Sequence, residues 1–200
     1  DDQARELVGA DLVIESNRPV NAAVQPLLDS IGQNRSQERS FASMVYFTKS
    51  GGTRLVQVKA LKGQYPYYGS LQTTPGNAGI TFRNKQEALV DKTLMLQFDA
   101  KVGDTVQVGD LKFKIAGILN KAPGRNGFST TMAPPVYIPL QYLEQTGLVQ
   151  KGSRVSYSYY YQYPAQTDIK KAIEGVRPLL DKEGLDIDTV EERKKNCKAR

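Results

Sequence analysis

The sequence predicts an α+β fold in which a ferredoxin-like split βαβ unit is interrupted by a β-rich insertion. Three observations lead there. A strand–helix–strand series opens the chain, the same series closes it, and the stretch between them alternates apolar and polar residues around glycine turns. The boundaries that follow are 1–64 plus 152–200 for a discontinuous ferredoxin-like unit and 65–151 for the insertion.

Along the chain, Ala10 to Glu15 is a short apolar run suited to a strand, stopped by Ser16-Asn17-Arg18-Pro19. Val20, Ala23, Val24, Leu27, Leu28 and Ile31 then line one helix face, ended by Gly32. After a polar loop, Phe41 to Phe47 and Leu55 to Ala60 read as a hairpin around Ser50-Gly51-Gly52. In the insertion, Leu94 to Phe98 is a short apolar stretch. Val102 to Leu119 forms two alternating runs joined at Gly109-Asp110, and Val136 to Leu140 precedes a short helix ending at Gly147. The closing series is a β-rich run from Val155 to Tyr163, a helix carrying Ile169, Ile173, Val176 and Leu180, and a strand from Leu185 to Val190. Both helices hold an interior-looking proline, so an irregular turn is expected near Pro26 and Pro178.

In a split βαβ sheet the first strand starts at the edge where the last one finishes. The two ends of the chain are therefore expected to emerge together at one pole, with the insertion at the other.

Composition narrows the chemistry. The 200 residues contain no His, no Trp and a single Cys, Cys197. A Ser-His-Asp or Cys-His centre, a His-ligated metal and an internal disulfide are thereby excluded. The apolar runs fall far short of the roughly 18 residues needed to span a bilayer. The net charge is +6, and half of that excess lies in residues 189–200, where Arg193, Lys194, Lys195, Lys198 and Arg200 outweigh Glu191 and Glu192. A basic end of this kind serves an anionic partner or is a solvated helix face. The chain lacks a signal-peptide pattern and reads as a soluble piece of a longer one.

Several segments together carry a family resemblance. They are Ala4 to Ile14, Ala88 to Leu94, Lys101 to Thr105 with Phe113 to Leu119, Ala133 to Leu140, and Thr146 to Val155. In this order and spacing they resemble FtsX/MacB-type ABC transporter permeases of the YbbP-like subgroup, over Ala4 to about Lys195. The resemblance implies a periplasmic core domain set between the first two transmembrane helices of an inner-membrane permease. It also implies a porter-like ferredoxin unit with an inserted sabre-like β unit. The partners implied are a cytoplasmic ATPase subunit, a second permease copy forming a homodimer, and a periplasmic protein or lipid-linked substrate. The chain has no Walker motif, so ATP hydrolysis is expected on another subunit. The region around Cys197 departs from the resemblance, which continues there into a more apolar helix.

No catalytic, cofactor-binding or metal-binding residue is assigned. Candidate partner contacts are Tyr65, Tyr67 and Tyr68 at the junction of the two units, and Arg125, Asn126 and Phe128 in a glycine- and asparagine-rich loop. Tyr65-Pro66-Tyr67-Tyr68-Gly69 alternatively forms an aromatic plug at the hinge. Tyr157, Tyr159, Tyr161 and Tyr163 share one sheet face, as an interface or as core beneath the helices. Glu87 and Asp91, at a helical i, i+4 spacing, and Asp186 with Asp188 make only a weak calcium case. Asn34-Arg35-Ser36 matches a glycosylation sequon and is assigned no function.

The function expected is non-catalytic coupling of ATP-driven membrane motion to a periplasmic partner or an exported or lipid-linked substrate. Two alternatives stay open. One is a single-stranded nucleic-acid-binding module, whose strand signature the run Val155 to Tyr163 lacks. The other is a periplasmic ligand-sensing domain with a pocket between the units.

Overall fold

The protein is described by a computed structural model covering residues 2–123 and 133–190. Strand β1 (Leu12–Ser16) runs to a 3-10 turn and helix α2 (Gln25–Ile31), preceded in the chain by α1 (Asp2–Val8). Strand β2 (Asn34–Phe47) follows. At the other end, β9 (Ser156–Gln162) leads through α6 (Ile169–Glu174) and α7 (Arg177–Lys182) to β10 (Asp186–Thr189). These four strands lie in the order β10-β1-β9-β2 and every neighbouring pair is antiparallel, which is the ferredoxin-like arrangement.

Leu12 at the start of β1 pairs with Thr189 at the end of β10, and with Tyr161 at the end of β9. The chain therefore comes in and goes out at one pole of this sheet.

The two prolines act as turn formers. Pro26 and Pro178 each occupy the first turn of a short α-helix, where no intrahelical N–H partner is needed. The apolar periodicity of 20–31 is thus split into a 3-10 turn (Ala22–Val24) and α2, and that of 169–180 into α6 and α7.

The middle of the chain closes into a barrel. Its strands are β3 (Thr53–Lys62), β5 (Glu87–Asp91), β6 (Thr105–Val108), β7 (Leu111–Lys121) and β8 (Pro135–Pro139), and β2 completes the ring. Pairing runs β2–β3–β8–β5–β7–β6 and back to β2 through Val45↔Val108 and Phe47↔Val106. Closure leaves none of the six as a free edge. Strand β4 (Gln72–Thr74) pairs with the far part of β7. The remaining helices are α3 (Ala78–Thr81), α4 (Lys92–Gln97) and α5 (Leu143–Thr146).

Strand β2 belongs to both assemblies: Asn34 to Ser40 pair with β9, and Val45 to Phe47 pair with β6. The face of β2 that looks toward the helices becomes the inner wall of the barrel. Leu12, Ile14, Leu28, Tyr161 and Leu180 beneath the helices accordingly share one continuous apolar cluster with Phe47, Val58, Phe113 and Val136 inside the barrel.

Three local expectations change. The polar loop before Phe41 is the first half of β2: Ser36 and Glu38 are buried by partners on one face, and Arg35 and Arg39 lie over the rings of Tyr159 and Tyr157 on the other. Leu94 to Phe98 lies mostly in α4. Glu87 and Asp91 are the two ends of strand β5, and Asp91 caps α4 by accepting from the Thr93 backbone N–H at 2.9 Å, so their spacing is not helical.

Candidate functional site

The tyrosines of β9 divide between the two faces of the sheet. Tyr157, Tyr159 and Tyr161 are buried under the helices, and the hydroxyls of Tyr161 and Tyr163 donate to the carbonyls of Leu28 (2.7 Å) and Ile31 (2.9 Å). The shared face read from the sequence is therefore core, with hydroxyls reaching the helix C-terminal carbonyls. Tyr160 points the other way. These rings leave no stacking platform for nucleic-acid bases on β9.

The face of the sheet away from the helices carries the polar chemistry. Val13, Ser158, Tyr160, Ser36, Glu38 and Lys59 come together there because β1, β9, β2 and β3 are neighbours and these residues sit at matching parity. The segment after β3 folds back over it. Tyr65 is 4% exposed, and its backbone N–H donates to Ser36 Oγ at 3.0 Å while its hydroxyl donates to the Val8 carbonyl at 2.8 Å. Its ring stacks on that of Tyr160. Arg83 clamps the same segment by donating to the carbonyls of Gly63 (2.8 Å) and Tyr65 (2.6 Å).

Tyr67 and Tyr68 are half-buried. The Tyr67 hydroxyl bonds Ser36 Oγ at 2.8 Å, and the Tyr68 hydroxyl donates to Asp11 Oδ2 at 2.8 Å. Asp11, itself buried, also accepts from the Tyr163 backbone N–H at 2.8 Å and faces Arg5 Nε at 3.8 Å. Of the six candidate contacts, the structure thus brings Tyr65, Tyr67 and Tyr68 onto one surface, with Tyr65 beneath. Arg125, Asn126 and Phe128 lie outside the described residues.

Burial is the largest cause raising the Tyr65, Tyr137 and Tyr160 hydroxyls well above their ordinary value, and the Glu38 charge adds to it. Tyr163 is pushed up to about 12 by burial and then by Asp11. These hydroxyls stay protonated donors and are not poised as general bases. Among the described residues, no group of three or more acidic or Cys side chains gathers as metal ligands, and no helix is long and apolar enough to cross a membrane.

Sequence reading missed Glu38, whose role needs the face parity of an unforeseen strand. It also missed an exposed apolar cluster of Met44, Tyr46 and Leu55 on the outer wall of the β2–β3 hairpin, where Met44 and Leu55 are cross-strand partners.

A ferredoxin-like sheet fused to a closed barrel, which the chain enters and leaves at one pole, is an architecture shared with solved periplasmic and extracellular domains of ABC transporters. Residues 2–179 match the model of the MacB-like periplasmic core domain family, and the chain belongs to that family. It is 34% identical over 161 residues to the uncharacterized ABC transporter permease YbbP of Escherichia coli (strain K12), covering 78% of this chain and 19% of that protein. The chain thus spans about a fifth of the length of that relative. In fold it is similar to the periplasmic region of MacB from Actinobacillus actinomycetemcomitans, with a TM-score of 0.57 and 13% identity over 97% of this chain and 95% of that one. It is also similar to the extracellular domain of the ABC-type transporter YknZ from Gram-positive bacteria, with a TM-score of 0.53 and 12% identity over 89% of this chain and all of that one (100%).

Proposed function

We propose that this chain is the periplasmic part of an inner-membrane ABC permease and works without chemistry of its own, passing ATP-driven membrane motion to a periplasmic partner or to a lipid-linked or exported substrate. ATP hydrolysis belongs to a separate cytoplasmic subunit, and two permease copies work as a dimer. The observation that carries this reading is the joint course of β1, β10 and β2. Leu12 and Thr189 pair at one pole, and the 14-residue β2 leads from that pole into the barrel, a reach of roughly 45 Å at strand rise.

A force applied where the chain crosses the membrane is transmitted along one hydrogen-bonded strand and through one apolar cluster. Interiors packed in this way are stiff and shift as a body. The sheet of β10, β1, β9 and the first half of β2 acts as the foot, and the barrel, built from the insertion together with β3 and the second half of β2, acts as the arm. Contact with the partner falls on Tyr67, Tyr68, Arg125, Asn126 and Phe128, and on the Met44–Leu55 cluster at the far end of the arm, which has the exposed apolar character of an interaction surface.

The test uses the full-length permease with its ATPase. Spin labels at the exposed positions Gln33 and Ser50 report the length of the lever, and a third label in a transmembrane helix reports its swing. The 33–50 distance is expected to stay constant between nucleotide-free and ATP-bound states while the distance to the membrane label changes. A lever that changes length, or a domain that does not move, overturns the reading.

A further inference from the structure

Beside the Tyr65 plug the polar face of the sheet lies open as a groove of about 1030 Å³. Glu38 sits in its floor and is 4% exposed. One carboxylate oxygen, Oε2, accepts from the Tyr160 hydroxyl at 3.2 Å and faces Lys59 Nζ at 3.7 Å. The other, Oε1, is buried and has no hydrogen-bond partner among the described residues. A buried acceptor of this strength without a donor is costly, and such groups call for an explanation in function.

The surroundings define what the donor is. Glu6, Glu15 and Asp91 line the same groove along its length, against Lys59 and Lys121, so its walls are acidic in a chain whose net charge is +6. Tyr65, Tyr137 and Tyr160 supply aromatic surface that keeps water away from Glu38, which strengthens any charge-assisted bond made there. The carboxylates are spread along the groove and do not converge, which suits a linear cation carrying several charges and not a metal ion.

We infer that the groove binds a linear di- or polyamine, one primary ammonium of which donates to Glu38 Oε1. Lys59 is its internal competitor. At 3.7 Å its ammonium is beyond hydrogen-bond length, and its flexible four-carbon stem, 28% exposed, swings clear for the ligand. The inference stands independently of force transmission.

Calorimetric titration of spermidine into the chain tests it. Saturable binding with one ligand per chain is expected, and because the protein as a whole repels a polycation, diffuse surface attraction does not imitate it. Glu38→Gln is expected to weaken binding by about tenfold or more. Lys59→Met, which removes the competitor, is expected to tighten it several-fold. Putrescine should bind, and diacetylated putrescine, of similar backbone but without ammonium groups, should not. Absence of saturable binding, equal binding of the acetylated compound, or unchanged or weaker binding in the Lys59→Met chain overturns the proposal. The two unmutated-chain arms and the Lys59 arm decide it even where Glu38→Gln fails to fold.

Discussion

The ring of Tyr65 lies on the ring of Tyr160, with centroids 3.6 Å apart and planes 17° from parallel. This contact covers part of the sheet face that the helices leave bare, and Gly9 makes it feasible. A Cβ at Gly9 would stand 2.9 Å from the Tyr65 ring, at a φ of +77° that favours glycine in any case. Removing the ring by Tyr65→Ala is expected to cost about 3–5 kcal/mol in urea unfolding, as for other buried aromatics. Tyr65→Phe, which keeps the ring and loses the hydroxyl with its bond to the Val8 carbonyl, should cost about 1 kcal/mol. Equal costs for the two variants would show that the hydroxyl, and not the stacked ring, holds the segment.

The turn joining β6 and β7 makes a second prediction. Gly109 has a φ of +59°, and a Cβ there would meet the Thr146 carbonyl oxygen at 2.2 Å, a backbone atom that cannot swing away. Gly152 has a φ of +91° with open space around it. Gly152→Ala therefore pays only the left-handed backbone cost of about 1–2 kcal/mol, and Gly109→Ala adds a clash to it. Thermal melts of the two variants should differ clearly, with Gly109→Ala the less stable. Equal melting temperatures would mean that the contact between this turn and α5 yields without cost.

Much of this architecture was legible in the residues. Strand-like runs at 10–15 and 155–163, two amphipathic helices and the Gly109-Asp110 turn give the ferredoxin-like halves and the β6–β7 hairpin directly, and each recurs in the structure. The first half of β2 was hidden because Ser36, Glu38, Arg35 and Arg39 make it polar on both faces. Its stability comes from distant partners, namely Tyr65, Tyr67 and the rings of β9, which no local periodicity reports. Barrel closure was hidden for a related reason: it depends on β2 meeting β6 across 60 residues, a pairing set by register and not by composition. The Tyr65 to Tyr68 segment could be picked out as aromatic, but its burial could not, since that rests on Gly9 far away in the chain.

Alkaline stability follows from the tyrosines. Burial and then the Asp11 charge push Tyr163 up to about 12, and burial raises Tyr65, Tyr137, Tyr160 and Tyr161 as well, against an ordinary value of 10. A group whose folded value is raised holds its proton more tightly when folded. Its contribution is fully present below about pH 10 and is lost as the pH rises through the folded value. The urea midpoint is expected to be insensitive to these groups up to about pH 10 and then to fall steeply toward pH 12. The phenolate absorbance of these buried tyrosines should appear together with unfolding. Gradual ionisation of all tyrosines near pH 10 in a chain that stays folded would contradict the burial of these hydroxyls.

Asp11 gives the last prediction, because one buried carboxylate joins three parts of the chain. It precedes β1, accepts from the Tyr163 N–H just beyond β9 and from the Tyr68 hydroxyl in the segment after β3, and faces Arg5 in α1. Asp11→Ala strands the Tyr163 N–H as well as emptying the space, so a loss of about 2–4 kcal/mol is expected. Tyr68→Phe removes one charge-assisted bond from a half-exposed ring and should cost about 1–2 kcal/mol. Because the two groups bond each other, the double variant should be more stable than the sum of the single losses implies, by about 0.5–1 kcal/mol. Strict additivity in this cycle would show that Tyr68 and Asp11 act apart. The 65–68 segment would then be held at the foot of the domain by Tyr65, Tyr67 and Arg83, without a contribution from Tyr68.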